Sequence, residues 1–136
     1  MSNSVLKNKD GQILDFKIPG YEIMKYNLEA DSNPVRTGRK VNGKDEYVKR
    51  LIIPSFPNAQ KKEYSTGITN ATLVRHFVYM NNGADYYILL PYHSLAALNA
   101  GIITSAKSDA SIVTIEAGTD RSKLSGFAEI YFTYNS

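Results

Sequence analysis

His76 and His93 are the only histidines in the chain, and histidine is the side chain best suited to general acid–base catalysis near neutral pH. A catalytic histidine needs an orienting acid and a nucleophile nearby, and Asp85, Asp109 and Ser94 are conceivable partners. No spacing in the sequence brings these residues together, and ordinary strand or surface positions explain both histidines more simply. We therefore predict that neither histidine is catalytic or binds a metal.

Paired carboxylates would also support catalysis, because glycosidases use two of them across a cleft. Asp85, Glu116, Asp120 and Glu129 are candidates, but any chain with 13 acidic residues offers such pairs. The sequence has no nucleotide-binding, zinc-protease or hydrolase-elbow motif. It has no cysteine either, which excludes disulfides, thiolate nucleophiles and cysteine-ligated zinc. We predict a protein that is not an enzyme and uses no cofactor or structural metal.

The tyrosine content is compatible with a binding surface, since the chain has ten tyrosines and no tryptophan. A tyrosine offers a rigid ring and a polar tip to a partner at low cost in conformational entropy. Tyr86, Tyr87 and Tyr92 fall near predicted turns and are the candidate ligand-binding rings. Packing in half-buried strands is the competing explanation for each of them.

Basic residues are concentrated between Arg36 and Lys62, where eight basic and two acidic side chains give a local net charge of +6. Arg39, Lys40 and Lys44 are the candidates for contact with an anionic partner such as a phosphate-bearing polymer. The alternative is a solvated strand whose charges keep a sheet edge from pairing. No interleaved aromatic residues or helix-turn-helix pattern accompany the charges, so we do not expect nucleic-acid binding.

Short strands and turns are the elements that must position these side chains. Asn42-Gly43 suits a type I′ turn and predicts a hairpin of Thr37–Val41 with Glu46–Ile53. A second hairpin is predicted for Leu73–Met80 with Asp85–Leu90, around the turn at 81–84.

Three further strands and one helix complete the pattern. Lys62–Tyr64 and Ser111–Glu116 are short candidate strands, and Gly126–Tyr134 alternates between two faces with period 2. Ser94–Ala100 is a helical run of about two turns, with Ser94 as a possible N-cap. The prediction is an all-β, antiparallel β-sandwich of jelly-roll-like type with one short helix.

The first 35 residues differ from the remainder of the chain. Asp10-Gly11 lies between apolar residues and predicts a small hairpin, whereas Ile18-Pro19-Gly20 interrupts any regular element. We predict an extended arm or adaptor at 1–35, used for attachment or subunit association, and a head domain at 36–136. No apolar stretch suits a signal peptide or a membrane span, so we expect synthesis in the cytoplasm without membrane insertion.

Several short motifs along the chain form one pattern. They are the leader Val5–Gly11 with Lys17–Pro19, the hairpin segments Gly38–Lys44 and Tyr47–Arg50, the steps Pro57-Asn58 and Gly67-Ile68, and the tail Gly126–Tyr134. In this pattern the chain resembles small structural proteins of phages and prophages of Gram-positive bacteria. One departure is that Arg39 or Lys40 stands where those proteins usually have tryptophan.

The resemblance implies a tail-fibre or tail-tip component, often trimeric, that displays a β-sandwich head toward the host cell. The expected partners are other phage tail proteins, a host cell-surface glycan and two further copies of the chain, and the expected location is the tail of the virion. Tyr86, Tyr87 and Tyr92 would then stack on sugar rings, and the basic side chains would meet phosphates. The alternatives are a structural or decoration protein that contacts only virion proteins, and a fragment of a polysaccharide depolymerase.

Overall fold

A computed structural model describes residues 5–7, 13–15, 31–83, 86–92 and 101–136, the first two ranges as backbone strands only. All regular elements in these ranges are β-strands, and the two larger sheets are antiparallel and packed together. The all-β prediction is therefore confirmed. The helix predicted at Ser94–Ala100 and most of the predicted N-terminal arm lie outside the described residues, so both stay predictions. The strands are β1 (Val5–Lys7), β2 (Ile13–Asp15), β3 (Val35–Val41), β4 (Lys44–Ile53), β5 (Lys61–Ser65), β6 (Ala71–Asn81), β7 (Tyr87–Leu89), β8 (Ile102–Ala106), β9 (Ile112–Ala117) and β10 (Gly126–Tyr134).

The larger sheet has five strands in the order β3-β4-β10-β6-β7, and the smaller has three in the order β5-β9-β8. The last strand of the chain, β10, is thus the central strand of the larger sheet. Strands β4 and β5 are consecutive in sequence but belong to different sheets, and so are β9 and β10. The chain crosses from the larger to the smaller sheet between β4 and β5, and it crosses back between β9 and β10. Because β4 pairs with β10 and β5 pairs with β9, these two segments run antiparallel beside each other in both sheets.

Both predicted hairpins of the head region are present. Asn42 and Gly43 have φ values of 51° and 79°, the left-handed values that a type I′ turn requires, and they join β3 to β4. Strand β6 pairs with β7, with Tyr79 opposite Leu89. At the N-terminus, Leu6 of β1 lies opposite Leu14 of β2, in agreement with the predicted hairpin, whose turn lies outside the described residues.

Buried and outward-facing side chains alternate along β10, and the buried ones form part of the core. Ala128, Ile130 and Phe132 are fully buried between the sheets, whereas Phe127 and Tyr131 face outward. The interior is completed from both sheets by β-branched and aromatic side chains, which include Ile53, Val78, Ile102, Val113 and Ile115. The period-2 pattern of this strand is confirmed, and it decides which side chains are left on the outer face of the larger sheet.

Strand β8 is missing from the sequence-based prediction. Ile102 is buried against the opposite sheet, while Ile103 is exposed. The run Ile102-Ile103-Thr104 is rich in β-branched residues, which is the signal that would have identified it.

Candidate functional site

The outer face of the larger sheet carries the main accessible group of aromatic rings. The rings of Tyr79 on β6 and Phe127 on β10 stack with centroids 4.9 Å apart and an interplanar angle of 23°. Tyr87 on β7 meets Phe127 edge to face, with centroids 5.3 Å apart. We call these three residues the aromatic platform. Cross-strand register explains it, because Phe127 lies directly opposite Tyr79.

The platform opens to solvent at the β7 edge of the sheet. Tyr87 is 40% exposed, and its neighbour Tyr86 is 62% exposed. Leu89, on the same short strand, is also an exposed large hydrophobic residue. Exposed apolar groups that gather in this way mark binding surfaces more often than single exposed residues do.

A carboxylate lies beside the platform. Glu129 projects from β10 between Phe127 and Tyr131, on the same outer face. Burial raises the pKa of Tyr79, and the charge and hydrogen bond of Glu129 raise it further. Tyr79 therefore keeps its hydroxyl proton at physiological pH, and its ring is stacked on Phe127.

A second aromatic pair continues across the same face. Phe77 and Tyr131 meet edge to face with centroids 6.0 Å apart. The guanidinium carbon of Arg75 lies 4.3 Å from the centroid of the Tyr131 ring, and that of Arg39 lies 5.7 Å from it. These are cation–π distances, so Tyr131 connects the aromatic residues to two positive charges.

The two arginines converge on one buried carboxylate. Arg39 of β3 places Nη2 at 2.8 Å from Glu46 Oε1, and Arg75 of β6 places Nη1 at 3.1 Å from Glu46 Oε2. Arg39 Nε and Thr37 Oγ1 also donate to Glu46 Oε1, at 2.9 Å and 2.8 Å. The Glu46 side chain is 1% exposed, but that of Arg39 is 59% exposed. We call Arg39 and Arg75 the arginine pair.

Glu46 remains ionised despite its position. Burial acts to raise the pKa of this carboxyl, but the hydrogen bonds from Thr37 and Arg39 and the charges of Arg75 and Arg39 outweigh it and hold the pKa below its usual value. The Glu46 carboxylate thus accepts hydrogen bonds from Thr37, Arg39 and Arg75. The guanidinium N–H groups that do not contact Glu46 stay available on Arg39, whose side chain is 59% exposed.

The other predicted basic residues have partners within the hairpin or at the C-terminus. Lys40 Nζ lies 3.0 Å from Asp45 Oδ1, and Arg36 Nε lies 3.9 Å from Asp45 Oδ2. Lys44 donates to the backbone carbonyl of Tyr134 at 3.2 Å. Strand β3 is an edge strand, so these charges also lie where they protect an edge from pairing, as the alternative interpretation of the sequence requires.

The structure does not bring all six predicted binding residues together. Arg39 and Lys40 lie on β3, whereas Tyr87 lies on β7, and these strands form opposite edges of one sheet. At the usual strand spacing the two edges are roughly 19 Å apart. Tyr92 forms a β-bridge with Ile102 and packs against the core, away from the platform.

The candidate catalytic residues are dispersed among the described ranges. His76 faces the interior, where its Nε2 lies 3.1 Å from Thr104 Oγ1 on the opposite sheet, and burial lowers its pKa. Glu116 is on the smaller sheet, Asp120 follows it in a loop, and Glu129 is on the larger sheet. His93, Ser94 and Asp85 lie outside the described residues. Within those ranges, no group of three or more acids and histidines is placed to hold a metal ion.

Several residues of this face were not selected from the sequence. They are Glu46, Arg75, Phe77, Tyr79, Phe127 and Tyr131. All of them except Glu46, which lies on β4, share the signal of period 2 along β6 and β10, but pairing those two strands requires a contact between distant parts of the chain.

In the part of the chain that the structure describes, no helix is long and apolar enough to cross a membrane. The chain matches no protein-family model, no curated protein and no solved structure.

Proposed function

We propose that this chain is a noncovalent, host-surface-binding component of a phage virion, the head of a tail-fibre or tail-tip protein that recognises a cell-wall glycan. The observation that carries the proposal is the aromatic platform of Tyr79, Phe127 and Tyr87, open to solvent at the β7 edge. No catalytic step is needed for this function.

The platform has the chemistry that a sugar requires. One face of a sugar ring is largely C–H, and it packs on an aromatic ring while the hydroxyls around the rim keep polar partners. The Tyr87 hydroxyl and the Glu129 carboxylate are polar groups beside the platform. A platform held by stacking against Phe127 is also pre-organised, which lowers the entropy cost of binding.

The strand pairing supports a jelly-roll-like arrangement for this head. Jelly rolls are double-sheet folds common in viral capsid and lectin domains. Here the β4–β5 ribbon runs beside the β9–β10 ribbon across both sheets. The proposed oligomer is a homotrimer. The N-terminal arm serves association of its subunits or attachment to other tail proteins.

We expect Tyr87→Ala to weaken glycan binding about tenfold or more, because an exposed ring that stacks on a ligand contributes roughly 1–3 kcal/mol. Binding of the full-length protein to isolated host walls, measured by co-sedimentation, checks this. Tyr64→Phe is the matched control, since Tyr64 lies on the smaller sheet and donates its hydroxyl to the Ser55 carbonyl. Unchanged wall binding by a well-folded Tyr87→Ala protein would show that the aromatic platform does not bind the glycan.

A second candidate is a structural virion protein that contacts only other virion proteins. The edge strand β8 of the smaller sheet favours it, because the edge of a sheet is a template on which another chain can pair, and Ile103 on this edge is 58% exposed. An oligomer that assembles on virions but ignores host walls would support this candidate. Release of reducing sugar from walls would instead indicate a depolymerase.

A further inference from the structure

The outer face of the larger sheet combines two chemistries at a fixed separation. The aromatic platform is centred on Phe127, and the arginine pair stacks on Tyr131, four residues further along β10. Four residues of strand span roughly 13 Å. A single small group cannot contact both ends, so only an extended ligand would use the whole face.

The arginine end is electropositive even after its internal ion pairs are counted. On this face Arg39 and Arg75 contribute two positive charges and Glu46 contributes one negative charge, which leaves a net +1. Glu129, midway between Tyr131 and the platform, lies directly opposite Arg50 on β4, which balances its charge. Glu46 is saturated by Thr37 and the two arginines. The guanidinium donors that Glu46 does not use on the exposed Arg39 have the fork geometry that matches a carboxylate.

From this arrangement we infer that the ligand is an acidic oligosaccharide, a chain of sugar rings that carries ring-attached carboxylates of the uronic acid type. Its rings stack on the aromatic platform, and one carboxylate contacts the arginine pair. This inference rests on the proposed function and adds the charge and minimum length of the glycan. A polyol phosphate chain fits less well, because it has charge but no ring to stack on Tyr87 and Phe127.

The test uses the full-length protein and glycans of defined charge. The probes are tetragalacturonic acid, its neutral methyl ester, monomeric galacturonic acid and poly(glycerol phosphate), with affinities measured by calorimetry. We expect the tetramer to bind about tenfold more tightly than its methyl ester, and the monomer to bind more weakly than either, because a charged hydrogen bond contributes about tenfold and the monomer reaches one end only.

Two substitutions of Arg39 test whether the arginine pair causes the difference in affinity between the tetramer and its methyl ester. Arg39→Gln is expected to bring the affinity for the tetramer down to that for the methyl ester, and Arg39→Lys to restore it only in part, because lysine lacks the fork. Lys62→Gln, on the smaller sheet, changes the net charge equally and is expected to leave both affinities unchanged. Circular dichroism and thermal melts are used to check that each variant is folded.

Each outcome separates this inference from the proposed function. Equal affinities for the tetramer and its methyl ester, or tighter binding of poly(glycerol phosphate), would overturn the acidic-sugar inference. If the protein also binds host walls through Tyr87 in that case, the proposed function stands. Failure to bind walls and all four probes would overturn both.

Discussion

Gly126→Ala is expected to destabilise the fold more than any other single-methyl change, by about 3 kcal/mol or more. A Cβ added at Gly126 would overlap the backbone carbonyl oxygen of Tyr79 and lie 2.9 Å from its carbonyl carbon. Gly126 begins β10 between Ile53 of β4 and Met80 of β6. The methyl group would therefore push apart the strands on which both the core and the aromatic platform depend.

Urea unfolding followed by circular dichroism checks this expectation. Gly38→Ala is the comparison: Gly38 has a φ of 88°, but an added Cβ meets nothing within 4 Å. Its cost is backbone strain alone, about 1 kcal/mol. If the two alanine variants unfold at the same urea concentration, the close approach of β10 to β6 at Gly126 is wrong.

Glu46→Gln is expected to cost about 2 kcal/mol of folding free energy at neutral pH. The buried carboxylate joins β3, β4 and β6 through Thr37, Arg39 and Arg75, and hydrogen bonds to charged groups contribute roughly 1.5–3 kcal/mol. The loss stays below that of a fully buried ion pair, because both arginines can recover contact with water.

The same variant should also change how stability depends on pH. The pKa of Glu46 in the folded protein lies below its ordinary value of 4.5, so the stabilisation is complete above that value and is lost as the pH falls through the folded-state pKa. Urea unfolding from pH 7 to pH 3 should show a steeper loss in the original protein than in Glu46→Gln. Glu63→Gln, an exposed position on β5, serves as control. Parallel pH profiles would contradict the role of Glu46.

Local patterns predicted most of the strands. Asn42-Gly43 has few alternatives, because both positions need positive φ and few residues adopt it without cost. The alternation along Gly126–Tyr134 likewise predicts which of its side chains are buried. These features depend on neighbours in the chain, so a single sequence is sufficient to recognise them.

The site could be predicted only in part, because it is built from long-range pairing. Tyr87 was selected for its residue type, but Phe127, the ring that orients it, is forty positions away in the chain. Arg39 was selected for its charge, while Glu46 and Arg75 were not, because their meeting requires β6 to lie beside β10 and β10 beside β4. The same long-range pairing puts Tyr87 on β7 and Arg39 on β3, at opposite edges of the larger sheet.

Host-surface binding is tested by adsorption of the purified full-length protein to intact cells and isolated walls of a panel of Gram-positive hosts, with light scattering to give its mass in solution. We expect a homotrimer that binds saturably to the walls of at least one host, and we expect soluble wall glycan to compete with this binding and Tyr87→Ala to weaken it. A well-folded oligomer that binds none of the walls would contradict it and would favour a structural role within the virion.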